Sequence, residues 1–129
     1  MELGLRGQSI ISIDVDYTVS FNLSGGYEIR IETPFSLHDS GGDLQVSPGT
    51  DPELSTARLD ALIGPTIITS VAEDSGTLRL NFANGSRLRV EPDSSFEAWT
   101  LAGPNGTKVA CMPGGELAVW SAEINEQQR

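Results

Sequence analysis

The sequence predicts an α+β fold that is mainly β: two related antiparallel β-meander units, a C-terminal hairpin block and one helix. Three observations carry this expectation. Residues 18–32 and 77–91 follow one pattern at a constant offset of 59, with Thr18/Thr77, Asn22/Asn81, Gly26/Gly85, Arg30/Arg89 and Glu32/Glu91 identical. Apolar and polar residues alternate through both segments, the period of a strand with one buried face. Turn-forming sequences, among them Ser24-Gly25-Gly26, Asn84-Gly85 and Gly103-Pro104-Asn105-Gly106, interrupt the alternation.

The first unit spans about residues 8–37. Every odd position from Ile11 to Leu23 is apolar (Ile11, Ile13, Val15, Tyr17, Val19, Phe21, Leu23), so the odd face is expected inside. Such a run is long for one strand, and a bend near Asp14-Val15-Asp16 is expected. The alternation resumes at Tyr27, Ile29 and Ile31. Parity then decides the hairpin turn. A two-residue Asn84-Gly85 loop would set Phe82 against Arg87 and break the buried face. A three-residue loop pairs Phe82 with Ser86, Leu80 with Leu88 and Leu78 with Val90. It ends on Gly85, where a left-handed backbone costs glycine nothing. Ser24-Gly25-Gly26 is the equivalent in the first unit.

Residues 38–64 hold a loop, His38-Asp39-Ser40-Gly41-Gly42-Asp43, and a helix at about 51–62. Thr50-Asp51-Pro52-Glu53 has capping-box spacing, Leu54, Ala57, Ala61 and Leu62 form an apolar stripe, and Gly64-Pro65 ends the helix. The second unit, about 66–96, opens on Ile67, Ile68 and Val71. After Glu91 the repeated pattern stops. The terminal block, 97–120, reads as a strand from Phe96 to Leu101, a turn, a strand from Lys108 to Met112, a Pro113-Gly114-Gly115 turn and a last strand, Leu117–Trp120. The polar tail 121–129 has no apolar period. Together these make a single domain, 1–129, of about nine or ten strands. That many strands must manage their edges by forming a strongly curved or barrel-like sheet, or by pairing between two copies as a homodimer.

Composition narrows the function. The net charge of −10 repels nucleic acid and anionic membrane; keeping the chain soluble is the better reading of it, against drawing a cationic protein partner inward. Apolar stretches are too short for a membrane span. No basic region followed by an apolar one opens the chain, and the lone cysteine, Cys111, forms no internal disulfide. Both favour the cytoplasm.

Chemistry-bearing patterns are sparse. Cys111 alternates with Val109 toward the core side, so an inert buried thiol is the better reading against a Cys111/His38 pair. His38 with Asp39 and Asp43 lacks metal-ligand spacing, and no phosphate-binding glycine loop or nucleophile elbow is present. No catalytic residue, metal or cofactor is therefore assigned. The candidate binding residues are Arg79, Arg87, Arg89, Trp99 and Trp120. The hairpin pairing sets Arg79 opposite Arg89 with Arg87 two residues along, and facing like charges need an acidic neighbour or an anionic ligand. Glu53, Asp60 and Glu116 are the expected internal partners. The two tryptophans serve core packing or an interaction edge.

The block Phe96-Glu97-Ala98-Trp99, Gly103-Pro104-Asn105-Gly106 and Val109 through Trp120 (VACMPGGELAVW), with Gly4-Leu5-Arg6-Gly7-Gln8, Tyr17 and Arg30-Ile31-Glu32-Thr33-Pro34-Phe35, resembles a family of small uncharacterised actinobacterial proteins. The resemblance implies a shared fold and a bacterial source and lends no catalytic residue. The functional expectation is a non-enzymatic interaction module, one version being an immunity-like neutralising partner. The alternatives are a small-ligand or anion binder, using a cavity between the units or the arginine patch, and an enzyme using Cys111 or His38.

Overall fold

The computed structural model describes residues 1–49 and 57–120. Eleven strands lie within them: β1 (Ile10–Val15), β2 (Val19–Leu23), β3 (Glu28–Ile31), β4 (Phe35–Asp39), β5 (Gly42–Val46), β6 (Ile67–Ala72), β7 (Leu78–Phe82), β8 (Arg87–Val90), β9 (Trp99–Ala102), β10 (Lys108–Cys111) and β11 (Leu117–Trp120). They build two antiparallel sheets, ordered β1-β2-β3-β9-β10-β11 and β5-β4-β8-β7-β6, and neither closes into a barrel.

Alternation explains how the sheets meet. Phe21, Ile29, Ile31, Trp99 and Leu101 from the first sheet and Phe35, Leu37, Leu80, Phe82 and Leu88 from the second belong to one buried apolar cluster. Phe21 and Phe35 touch across it edge to face, ring centroids 6.4 Å apart. Burying one such side chain contributes about 1.5–3 kcal/mol, so the alternating face is the main source of cohesion. At one end the contact is backbone on backbone: a Cβ on Gly76 would lie 2.5 Å from the Gly115 carbonyl oxygen. The Trp99 indole N–H donates to the Gly76 carbonyl there, at 2.9 Å.

The hairpin pairing expected from parity is the observed one. Leu78 faces Val90 and Leu80 faces Leu88, as Val19 faces Ile31 and Phe21 faces Ile29. The Phe82 and Leu23 amides close three-residue loops onto Ser86 and Tyr27, and Gly85 (φ 90) takes the left-handed position.

The correspondence extends beyond Glu91, where sequence identity fades. β4 and β5 follow the first meander but join the second sheet beside β8; β9 and β10 follow the second meander but join the first sheet beside β3. Each meander thus sends its following hairpin to the opposite sheet. Phe35 and Trp99 occupy matching core positions, as do Leu37 and Leu101.

Several expectations are corrected. Ile11 is 61% exposed and Ile10 is buried in its place, because the β1–β2 register shifts between Ile10 and Ser12. The same irregularity between Ile67 and Thr69 turns Ile68 outward. Tyr17, 83% exposed, sits in the loop between β1 and β2. The segment His38–Asp43 is the β4–β5 hairpin, with only Ser40 and Gly41 in the turn. β9 begins at Trp99, since the Asp93 carboxylate accepts from the Ser95 and Phe96 amides and folds them into a turn. Residues 57–60 are helical. Their buried contact is Leu59, followed by Leu62, while Ala57 and Ala61 face solvent. The expected cap, Thr50 to Glu53, and Leu54 lie outside the described residues, as does the tail from 121.

The edges of β1 and β6 are partly covered. Bridges join Ser9 to Thr66 and Ile10 to Ile63, and the opening residues run along β6 with hydrogen bonds from Leu3 to Ser70 and from Ala72 to Met1. Among the described residues no helix is long and apolar enough to cross a membrane.

Candidate functional site

Alternation also decides what the second sheet shows to solvent. With Leu37, Leu80 and Leu88 turned inward, the outward residues are Ser36 and His38 on β4, Asp43 on β5, Arg79 and Asn81 on β7, and Arg87 and Arg89 on β8. Register sorts them into two cross-strand rows, Asp43–His38–Arg87–Asn81 and Ser36–Arg89–Arg79. They line a groove of about 390 Å³. Three of the eight Lys and Arg side chains of a chain with net charge −10 therefore converge on one surface.

Two of the three arginines are neutralised at the rim. Arg79 Nε lies 3.3 Å from Glu73, and Arg89 Nε donates to Glu91 at 2.7 Å. Arg89 holds the Glu91 carboxyl below its usual range, with the Thr77 hydroxyl also donating to it. The facing pair Arg79/Arg89 is relieved by these carboxylates; Asp60 and Glu116 are not its partners, and Glu53 lies outside the described residues. Arg87 differs. Among the described residues its guanidinium makes no hydrogen bond or ion pair, and neither does the Asn81 side chain beside it. On its other flank, His38 Nδ1 meets Asp43 Oδ1 at 2.5 Å, which leaves Nε2 as the nitrogen available to a ligand. Arg58 holds the hairpin that carries His38: its guanidinium donates to both Asp39 oxygens, at 2.6 and 3.1 Å, and to the Gly42 carbonyl at 2.5 Å.

The other sheet is an internal comparison. Matching strand for strand, Ser20 stands where Arg79 is, Glu28 where Arg87 is, Ala102 where His38 is and Lys108 where Asp43 is. Asn22, the counterpart of Asn81, is occupied by Ser12 and Asp14 at 3.0 and 3.1 Å. Arg30 stands where Arg89 is, so the matching face keeps two cations, Arg30 and Lys108, but lacks the grouping of Arg79, Arg87 and His38.

The tryptophans do not join this site. Trp99 is fully buried and offers no surface, which corrects the expectation that it marks an interaction edge. Trp120 is 49% exposed on β11, in the first sheet, with Lys108 Nζ 5.2 Å from its ring centroid. Cys111 is buried in the core, where burial pushes the thiol up from its ordinary value. Its sulfur donates to the Met112 carbonyl at 3.8 Å, and it lies in the opposite sheet from His38. Ser36 donates to Gln45 and not to His38, so the groove holds no nucleophile–base pair. Among the described residues no three His, Cys, Asp or Glu side chains cluster as metal ligands. His38 is the groove residue that sequence reasoning missed as part of the arginine patch. The β4–β8 pairing that brings it there is long-range and has no local signal.

The fold and the site together define an antiparallel two-sheet protein with an arginine-lined groove on one outer face. The chain belongs to the family of unknown function DUF6188, whose model matches residues 1–121. No curated protein and no solved structure matches it. The resemblance read from the two ends of the chain agrees with membership in a family without an assigned activity.

Proposed function

We propose that this protein is a non-enzymatic interaction module whose arginine groove holds an anionic group presented by a partner. One observation carries the reading: Arg87, unpaired among the described residues, sits between His38 and Asn81 on a face that gathers three arginines, where the matching face of the other sheet has one. A guanidinium fork suits carboxylate and phosphate geometry, and hydrogen bonds to charged groups contribute about 1.5–3 kcal/mol. The acidic remainder of the surface would keep long polyanions away and favour a compact anionic group.

Inorganic phosphate tests this. A ligand at ten times its Kd stabilises the folded state by about 1.4 kcal/mol, a rise in Tm of about 5 °C for a chain of this length. Phosphate at matched ionic strength should produce such a rise in the native protein, and Arg87→Gln should weaken binding at least about tenfold. No shift at any phosphate concentration would count against the groove. The net charge of −10 favours a second reading, an immunity-like protein that neutralises a cationic partner through its acidic surface. Salt-sensitive binding of a basic protein that survives Arg87→Gln would support that reading instead. The family resemblance supports a bacterial source, and the lone cysteine a cytoplasmic setting, for either.

A further inference from the structure

Resting on the anion-groove reading, we infer that its occupant is an extended acidic protein segment with carboxylates at alternate positions, laid along β8. The groove has two cationic centres. Arg87, flanked by His38 and Asn81, forms one; Arg89 and the facing Arg79, which meet Glu91 and Glu73 through Nε and keep their terminal nitrogens for a ligand, form the other. Arg87 and Arg89 are two residues apart on the same face of one strand, which places them about 6.8 Å apart along the strand direction. An extended peptide repeats its same-side side chains at that same interval. An Asp-x-Asp or Glu-x-Glu segment lying parallel to β8 therefore sets one carboxylate on each centre. Carboxylates on adjacent residues point to opposite sides, and only one can reach the floor.

The rim limits the occupant further. Glu73 and Glu91 stand beside Arg79 and Arg89, and Asp43 stands beside His38. A polyanion running past either centre would meet these carboxylates, so a two-charge segment with neutral or basic flanks fits where a nucleic acid strand does not. The amide of Asn81 offers a further donor beside Arg87.

Two fluorescently tagged peptides of identical composition provide the test: Gly-Thr-Glu-Thr-Glu-Thr-Gly, with alternate glutamates, and Gly-Thr-Glu-Glu-Thr-Thr-Gly, with adjacent ones. Fluorescence anisotropy with the full chain should show the alternate peptide binding at least about fivefold tighter. Arg87→Gln and Arg89→Gln should each bring the two peptides to equal, weaker binding. Inorganic phosphate is titrated in parallel. Equal binding of both peptides to the native protein, with phosphate still bound, overturns the spacing inference and leaves the anion groove standing. Failure of phosphate and of both peptides overturns the two together. A single-stranded oligonucleotide that binds more tightly than the alternate peptide also overturns the inference, because the occupant would then be nucleic acid.

Discussion

Replacing Gly76 with alanine should cost far more than making the same change at Gly85. Both glycines have positive φ, 97° and 90°, so both variants incur the conformational cost of a side chain there, about 1–2 kcal/mol. A Cβ at Gly85 meets nothing within 4 Å, whereas one at Gly76 lies 2.5 Å from the Gly115 oxygen and 2.6 Å from Gly115 Cα. Both neighbours are backbone and cannot rotate away. The turn joining β6 to β7 must then separate from the turn before β11, an overpacking cost of about 1–3 kcal/mol. The bond from Trp99 to the Gly76 carbonyl is strained with it, about 1–3 kcal/mol more. The total is roughly 3–8 kcal/mol for Gly76→Ala. For 129 residues the unfolding entropy is about 0.27 kcal/mol per degree, or about 4 °C of Tm per kcal/mol. Gly85→Ala should therefore lower Tm by about 4–7 °C, and Gly76→Ala by more than about 10 °C or to the point of not folding. Thermal melts followed by far-UV circular dichroism read both. Equal shifts would refute the claim that the two sheets are fastened by backbone contact at this end.

The core and the paired carboxylates carry three further expected outcomes. Trp99→Phe keeps the ring in the core and loses the indole donor, leaving the Gly76 carbonyl unpaired; a loss of about 1–3 kcal/mol in urea unfolding is expected. Cys111 should resist thiol reagents in the native protein and react fully once unfolded, since it is buried with its thiolate disfavoured; fast native labelling would reopen the enzyme alternative. In acid, Arg58 holds the Asp39 carboxyl, and Arg89 the Glu91 carboxyl, below their ordinary values of 3.8 and 4.5. A carboxylate depressed in the folded state stabilises above its unfolded value and loses that contribution as pH falls through the folded one. Stability should thus decline as pH falls below about 4.5 and on through the folded values, and Asp39→Asn with Glu91→Gln should flatten that decline in pH-dependent melts.

What was legible in the sequence is what local parity controls. The register of Leu78, Leu80 and Phe82 against Val90, Leu88 and Ser86 followed from keeping one apolar face, and the three-residue loop followed from that register. Parity misleads where a strand takes an extra residue: Ile10 and Ile11 are chemically alike, and only the shift against β2 decides which one is buried. Equally hidden was the exchange of hairpins between sheets. Phe35 and Trp99, or Val46 and Cys111, share burial but not identity, so matching them needs the pairing itself. The same limit applies to the groove. The facing arginines of one hairpin could be read from sequence, while His38 reaches Arg87 only because β4 docks on β8. The partners of Arg79 and Arg89 were misassigned although both are local: Glu91 lies two residues from Arg89 on the same strand face, and Glu73 lies across the β6–β7 hairpin from Arg79.

One sheet face, and not its counterpart, is proposed to receive an anionic group. Backbone chemical-shift mapping during a phosphate titration addresses it residue by residue. Saturable shifts are expected at Ser36, His38, Asn81, Arg87 and Arg89, with Ser20, Glu28 and Thr100 unmoved. Shifts of equal size on both faces, or confined to residues outside the groove, would contradict it.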